Sequence, residues 1–261
     1  MSQILKYDTA ESLKRPEFRQ KINALLLKFE ADFYEKVEHA QKMLDANGFN
    51  LALYKRLNVE TILRINLRRA IDPMIASYWA TRDPQLCKEW GLYGAEEGRH
   101  DRMFARDLHD VGMTDEEIYG TTPTFATQLL NGYFYFTLAT EGPLATMVSA
   151  FYLEYVAGKT QPGWLDEIEK HLGTEKTKGA RAHLVQDIEE SHIDWAWNTV
   201  MRAVKTDQDE ENFIRHLSKI NALIVSTFVE IAEITLRQQA GQEEYAVKVP
   251  VSAVGLELLS A

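Results

Sequence analysis

The stretch LCKEWGLYGAEEGRHDRMFARDLHDV, Leu86–Val111, decides the fold. Leu86, Trp90, Tyr93, Glu97, His100, Phe104, Leu108 and Val111 recur at steps of three and four residues, which is one face of a helix. That stripe is apolar and aromatic except at Glu97 and His100. The segment therefore predicts a helix from about Gln85 to Val111, with Gly112 as its C-terminal glycine. A carboxylate in such a stripe has to be paired or bound to a cation, because burial penalises a bare charge. The E-x-x-H spacing puts Glu97 and His100 one turn apart, within reach of one ion or of each other. A buried Glu–His hydrogen bond thus competes with a metal pair as the reading of this motif.

The same periodicity extends outward. Pro16 opens a helical segment running to the stop at Asn47-Gly48. Another covers Leu51 to Trp79 and bends at Pro73. Thr114 and Glu117 have capping-box spacing in the turn region MTDEEIYGTTPT. The apolar segment FATQLLNGYFYFTLATEGPLATMVSAFYLEYVAG breaks near Gly142-Pro143, and a short helix at GWLDEIEKHLG follows it. Two more helices run from about Thr177 to Val204 and from Glu210 to Gln239. The prediction is an all-α, single-domain bundle of seven to eight helices over residues 1–261, with an N-terminal arm at 1–15 and a tail at 241–261.

Bulk properties narrow the function. The 261 residues are 45% hydrophobic, and no Pro/Gly/Ser-rich linker divides them, which favours one domain over two. A net charge of -10 argues against nucleic acid or an anionic membrane as partner. The one cysteine, Cys87, excludes an intrachain disulfide framework and Cys-based zinc or iron–sulfur sites. The first residues have no apolar signal-type stretch, and no run of about 18 apolar residues exists, so a cytoplasmic protein is expected.

Two further places carry polar residues where apolar ones belong. Glu154 is the only charge between Glu141 and Lys159, with Met147, Ala150 and Phe151 as helical neighbours. In RAHLVQDIEESHIDW, Arg181–Trp195, an ideal helix puts His183, Asp187 and Glu190 on one face and His192 nearly opposite. Either His183, Asp187 and Glu190 line a site, or Glu189 and His192 form a second E-x-x-H pair. The latter copies the ferritin-like di-iron pattern. Only a local bulge brings Asp187 and His192 to the same side. The ferritin-like pattern also needs a carboxylate on the preceding helix. Glu60 and Asp72 are the candidates, but Glu60 has Arg64 at i+4 as an ordinary partner and Asp72 shapes the bend at Pro73.

In this order the motifs resemble a known family. YGAEEGRHDRMFARDLHDVGMTDEEI, then LATEGPLATMVSAFYLEYVAG, then KGARAHLVQDIEESH is similar to the haem-oxygenase-like di-iron oxidases, whose fold is shared with thiaminase-like and pyrroloquinoline-quinone synthase proteins. The resemblance covers roughly residues 50–205. It implies a haem-oxygenase-like bundle holding two Fe2+ with O2 as co-substrate. The implied ligands are Glu97 and His100 on one helix, Glu154 on another, and His183 and Asp187 on a third. At the last position the family has histidine three residues after the aspartate, where this chain has Glu190, with His192 two further on. Glu190 and His192 therefore compete for one coordination position.

Carboxylate and imidazole donors without thiolate suit iron or manganese better than structural zinc. By resemblance, the substrate is a small carboxylate-bearing metabolite, an amino acid or a fatty acid, and the outcome is N-oxygenation, desaturation or oxidative C–C cleavage. Trp90, Tyr93, Tyr135 and Phe151 are the candidate pocket residues, with ordinary core packing as the competing role. Two other readings stay open: a metal-free enzyme of the same fold, with Cys87 as its nucleophile, and a non-catalytic iron-binding protein. The apolar tail VSAVGLELLSA can pack on its own bundle or on a second copy, so a homodimer is one expectation.

Overall fold

The computed structural model describes residues 14–37, 49–189 and 191–241. Every regular element among them is helical: α1 (Pro16–Lys36), α2 (Leu51–Arg68), α3 (Asp72–Trp79), α4 (Pro84–Glu97), α5 (Asp101–Asp110), α6 (Asp115–Tyr119), α7 (Phe125–Thr140), α8 (Leu144–Leu172), α9 (Lys178–Glu189), α10 (His192–Ala203) and α11 (Asp207–Gln239), with a 3-10 turn at Thr174–Lys176. The all-α bundle expected from the periodicity is present. It has more and shorter helices than seven or eight, because three expected helices are interrupted. Residues 38–48, with the Asn47-Gly48 stop, lie outside the described residues, as do residues 1–13 of the arm and 242–261 of the tail.

Local chemistry fixes several helix starts. Asn50 caps α2 by accepting from the Ala52 and Leu53 N–H groups, and Asp83 caps α4 by accepting from Leu86, with Pro84 at the first helical position. Thr114 with Glu117, and Thr206 with Asp209, form capping boxes on α6 and α11. The break at Gly142-Pro143 occurs as expected. Gly142 has φ 96°, a conformation that favours glycine, and a Cβ there would approach the Tyr78 hydroxyl to 3.2 Å. The expected short helix at 163–173 is instead the last part of α8, which runs unbroken through Pro162. Packing explains why. Trp164, Leu165 and Ile168, just beyond the proline, are all buried, and their burial offsets the missing backbone bond.

Two apolar clusters make the core. One gathers Phe18, Trp90, Phe151, Trp197 and Phe213, and the other gathers Val59, Ile62, Phe104, Leu108, Trp164 and Ile168. α8 contributes to both and packs against α7, α9, α10 and α11. α2 packs on α5 and α11, and α9 on α5. These contacts leave a cavity of about 220 Å³, lined chiefly by α2, α8 and α11 and reaching Glu97, Glu154, His183 and Asp187. Among the described residues, no helix is long and apolar enough to cross a membrane.

Candidate metal centre

The E-x-x-H pair straddles a helix break. α4 ends at Glu97, residues 98–100 form a turn, and His100 is the N-cap residue of α5. Arg69 braces that turn by donating from Nε to the Gly98 carbonyl at 2.6 Å. His100 is 3% exposed, and its Nδ1 lies 3.2 Å from Glu97 Oε2. Glu154, 6% exposed, sits in the middle of α8 and accepts a hydrogen bond from the Tyr93 hydroxyl at 3.3 Å.

α9 brings the other donors. His183 Nδ1 is 3.0 Å from Asp187 Oδ2, and the His183 ring meets that of His100 edge-on with centroids 4.4 Å apart. The helix does not continue into α10. Ser191 takes a left-handed conformation, φ 53° and ψ 43°, and α10 restarts at His192. The restart turns His192 inward, so its Nδ1 lies 3.1 Å from Asp187 Oδ1 and 3.8 Å from Glu154 Oε2. His192 Nε2 lies 3.9 Å from Glu96 Oε1. The inward turn needed to join Asp187 and His192 is thus a left-handed residue between two helices. Glu190 lies outside the described residues, as does the Glu189 side chain, while His183 faces the cluster and not solvent.

Six of the seven candidate ligands therefore converge. Two groups have donor atoms mutually within 4.8 Å: Glu97, His100 and His183, and Glu97, Glu154 and His192. Glu97 belongs to both, and Asp187 touches a histidine of each.

The electrostatics fit a cation. Burial alone would raise the Glu97 carboxyl, but the hydrogen bond from His100 and the charges of His100 and His183 hold it below the ordinary range. Burial opposes charge at Asp187 too, and His183 and His192 overcome it, so its pKa is also low. At Glu154 the opposing pull of His192 and the Tyr93 hydroxyl is too weak to compensate. Burial, then Glu97 and Asp187, push its carboxyl well above the ordinary value. Glu97 Oε1, both Asp187 oxygens and His183 Nδ1 are buried without a hydrogen bond of good geometry, although the pairs above are close. Buried polar atoms that approach each other but are misaligned are what a shared ion between them would satisfy. The donor set is oxygen and imidazole nitrogen, the set that suits iron or manganese.

The carboxylates considered for a ferritin-like site are used elsewhere. Glu60 pairs with Arg56 at 3.0 Å, not with Arg64, and accepts from the Thr124 N–H at 2.9 Å. Asp72 pairs with Arg68 at 3.0 Å and accepts from Trp90 Nε1 at 3.2 Å. The expected pocket residues also need correction. Only Tyr93 lines the cavity, whereas Trp90 and Phe151 are packed in the first core cluster and Tyr135 is 41% exposed on α7. Alternation along Tyr133–Phe136 turns each aromatic to a different side of the helix, and Phe134 takes the core position. Arg64 and Arg68, both lining the cavity, were not among the sequence candidates.

Neither a protein-family model nor a curated protein matches this chain. A solved structure does. It is a domain of unknown function with a heme oxygenase-like fold from Shewanella denitrificans OS217, which superposes with a TM-score of 0.77 at 18% identity over 86% of this chain and 96% of that one. At that identity the likeness establishes the fold. The chain has a haem-oxygenase-like fold, as the order of its motifs predicted.

Proposed function

We propose that this protein is a non-haem di-iron oxidase or oxygenase that uses O2 to oxidise a small carboxylate-bearing metabolite, as a cytoplasmic biosynthetic enzyme. One observation carries the reading: two donor triads share the half-buried Glu97, so the cluster offers oxygen and imidazole donors for two neighbouring cations. Glu97, His100 and His183 would hold one metal, and Glu97, Glu154 and His192 the other, with Asp187 between them. Bound there, a ferrous pair supplies the O2 and electron-transfer chemistry that no side chain can provide.

The rest falls to the protein. Tyr93 orients Glu154 through its hydroxyl, and Phe104 packs beside the His183 ring at 5.3 Å. A cation bound beside Glu154 would oppose the burial that raises its carboxyl. Leu57, Ile65 and Leu153 make the cavity wall apolar and limit water beside the reacting centre. Cys87, the nucleophile of the metal-free reading, does not line this cavity.

Anaerobic titration with ferrous iron is expected to reach two Fe per chain, and O2 exposure to give a transient visible absorption. Glu97→Ala should abolish both binding events, whereas His100→Ala and His192→Ala should each remove one. A wild-type chain that takes up no iron, or an E97A chain that still binds two, refutes the proposal.

A further inference from the structure

α7 has no charged residue, in a chain that is 26% charged. Its core side is accounted for, since Leu130, Phe134 and Thr137 are buried in the bundle. The opposite side is not. At about 100° per residue, Phe125, Leu129, Gly132, Phe136 and Ala139 fall within an arc of about 80° centred opposite Phe134. Phe125 is 63% exposed and Phe136 61%, and Leu129 and Tyr135 beside them are exposed too. Single exposed apolar residues are ordinary, but a continuous apolar stripe marks a surface that is covered in use. Gly132, at the centre of the stripe, is a second irregularity. Glycine weakens a helix interior, yet a Cβ here would meet no atom of the described residues within 4 Å, so packing within the chain does not require it. What a bare backbone permits at this point is the close approach of another helix.

We infer that the stripe is a self-association surface, on which a second copy of this chain lays its own α7, antiparallel, about a two-fold axis at Gly132. The stripe is complementary to itself under that operation. With Gly132 opposite Gly132, Leu129 faces Phe136 of the second copy and Phe125 faces its Ala139, and each pairing occurs twice. Large residues thus meet smaller ones, and the helices come closest at the glycines. Charge selects the antiparallel direction. At the C-terminal end of α7, Lys219 of α11 lies over the Tyr133 ring at 5.6 Å. At the N-terminal end, Glu230 of α11 accepts from the Phe125 and Ala126 N–H groups at 2.8 and 2.9 Å. The two-fold axis sets the Lys219 end of each copy beside the Glu230 end of the other, whereas a parallel pairing sets like charges together. Two chains that each carry a net charge of -10 also meet with least repulsion on a face without charge. The area sets the strength. An aromatic side chain offers about 150–250 Å², so the stripe with Tyr135 exposes about 400 Å² per copy. The α11 edge from Lys219 to Glu230 brings this to about 600 Å² per copy, the low end for a specific interface. The dimer is therefore reversible, with a Kd of about 1–100 µM.

This surface is independent of the di-iron reading, and its test needs no iron. Sedimentation equilibrium of the full-length protein over about 1–300 µM should show the mass rising from one chain to two. Phe136→Asp, at an exposed position, should keep the far-UV circular dichroism and weaken association at least about 100-fold, since it buries two carboxylates per dimer. Register is read by disulfide cross-linking in a Cys87→Ser background, where the introduced thiol is the only one. Under mild oxidation Gly132→Cys should give a covalent dimer, because both copies of that position lie at the axis. Leu129→Cys should not, because its two copies lie about 9 Å apart along the helices, beyond the about 7 Å that a disulfide spans. If Phe136→Asp does not fold, the cross-linking pair decides alone. A wild type that stays monomeric to about 300 µM overturns the inference. A lowered melting temperature of Phe136→Asp would then place another segment of the chain on the stripe. A dimer that survives Phe136→Asp undiminished also overturns it, as does cross-linking of Leu129→Cys without that of Gly132→Cys.

Discussion

Removing the Asp107 carboxylate should destabilise the protein and loosen its metal centre together. Asp107 is fully buried on α5, and its two oxygens accept from the Gly179 and Ala180 N–H groups, each at 2.7 Å. Those N–H groups belong to the first turn of α9, where no intrahelical partner exists. The Thr177 hydroxyl just before the helix donates instead to Glu169 at 3.1 Å. Asp107→Ala therefore deletes two hydrogen bonds, leaving the buried Gly179 donor unpaired at about 1–3 kcal/mol and the half-buried Ala180 donor at about 1 kcal/mol. The expected loss is about 2–4 kcal/mol, a large share of the about 5–15 kcal/mol that holds a domain folded. Asp107→Asn keeps one accepting oxygen and should lose roughly half as much. The approach of the two helices cannot simply be rearranged, since a Cβ on Gly179 would fall 1.9 Å from the Met103 carbonyl oxygen. Gly179→Ala must push α9 off α5, and His183 lies one turn further along α9. Urea unfolding followed by far-UV circular dichroism measures the stability, and ferrous titration under native conditions measures the site. An Asp107→Ala protein within about 0.5 kcal/mol of wild type, with unchanged metal affinity, would refute the claim that this carboxylate holds α9 in place.

Two other perturbations have definite signs. Ser191 occupies the left-handed region, where a side chain costs about 1 kcal/mol and a β-branched one more. Ser191→Gly should keep both metals and stability within about 1 kcal/mol of wild type, whereas Ser191→Val should cost about 1–2 kcal/mol and reduce iron uptake to one per chain, read by urea midpoint and metal analysis. His216 is buried and its Nδ1 is hydrogen-bonded with the Tyr133 hydroxyl at 2.6 Å; burial, with Arg215 alongside, pushes its pKa down to about 4. The unfolded chain binds this proton near pH 6.5 and the folded one does not. The contribution is therefore complete above pH 6.5 and disappears as pH falls to about 4, by up to about 3 kcal/mol. The urea midpoint of His216→Asn, whose amide can still hydrogen-bond with Tyr133, should fall less than that of wild type between pH 7 and pH 4.5; parallel curves would show that His216 is not the group responsible.

The candidate ligands were more legible in the sequence than the backbone that unites them. Glu97, His100 and Glu154 stood out because each interrupts an apolar stripe, and burial makes such interruptions costly unless something pairs them, whereas His183 and Asp187 stood out as one polar face that fits the motif the resemblance implies. Periodicity records faces, however, and not breaks. An unbroken helix was expected through residues 97–100 and 187–192, and both segments contain a discontinuity. Nothing about serine marks position 191 as left-handed, so the competition between Glu190 and His192 could not be resolved from spacing. The charge pairing failed for a related reason. Glu60 has an arginine four residues away on each side, and the position of Thr124, remote in sequence, accompanies the choice of Arg56 that leaves Arg64 facing the cavity. The aromatic pocket was misread because composition counts rings without assigning them to faces.

The helix breaks have a common consequence. At about 100° per residue, Asp187 and His192 on one continuous helix would diverge by about 140°, so no single ion could lie between them. The left-handed Ser191 costs about 1 kcal/mol and restores that convergence, which is strain at a position where the site depends on it. α9 itself is only 12 residues long, marginal as an isolated helix. Its first turn is fixed by Asp107 from α5, and its last turn by the contact of Asp187 with His192 across the break. His183 lies between those two fixed points and Asp187 at the second, so a short helix can hold donors to both halves of the cluster in register. The precision of the centre then resides in the ends of α9 and not in its length. Asp107 and Ser191, neither of which contacts the proposed metals, should therefore govern iron stoichiometry almost as strongly as the ligands do.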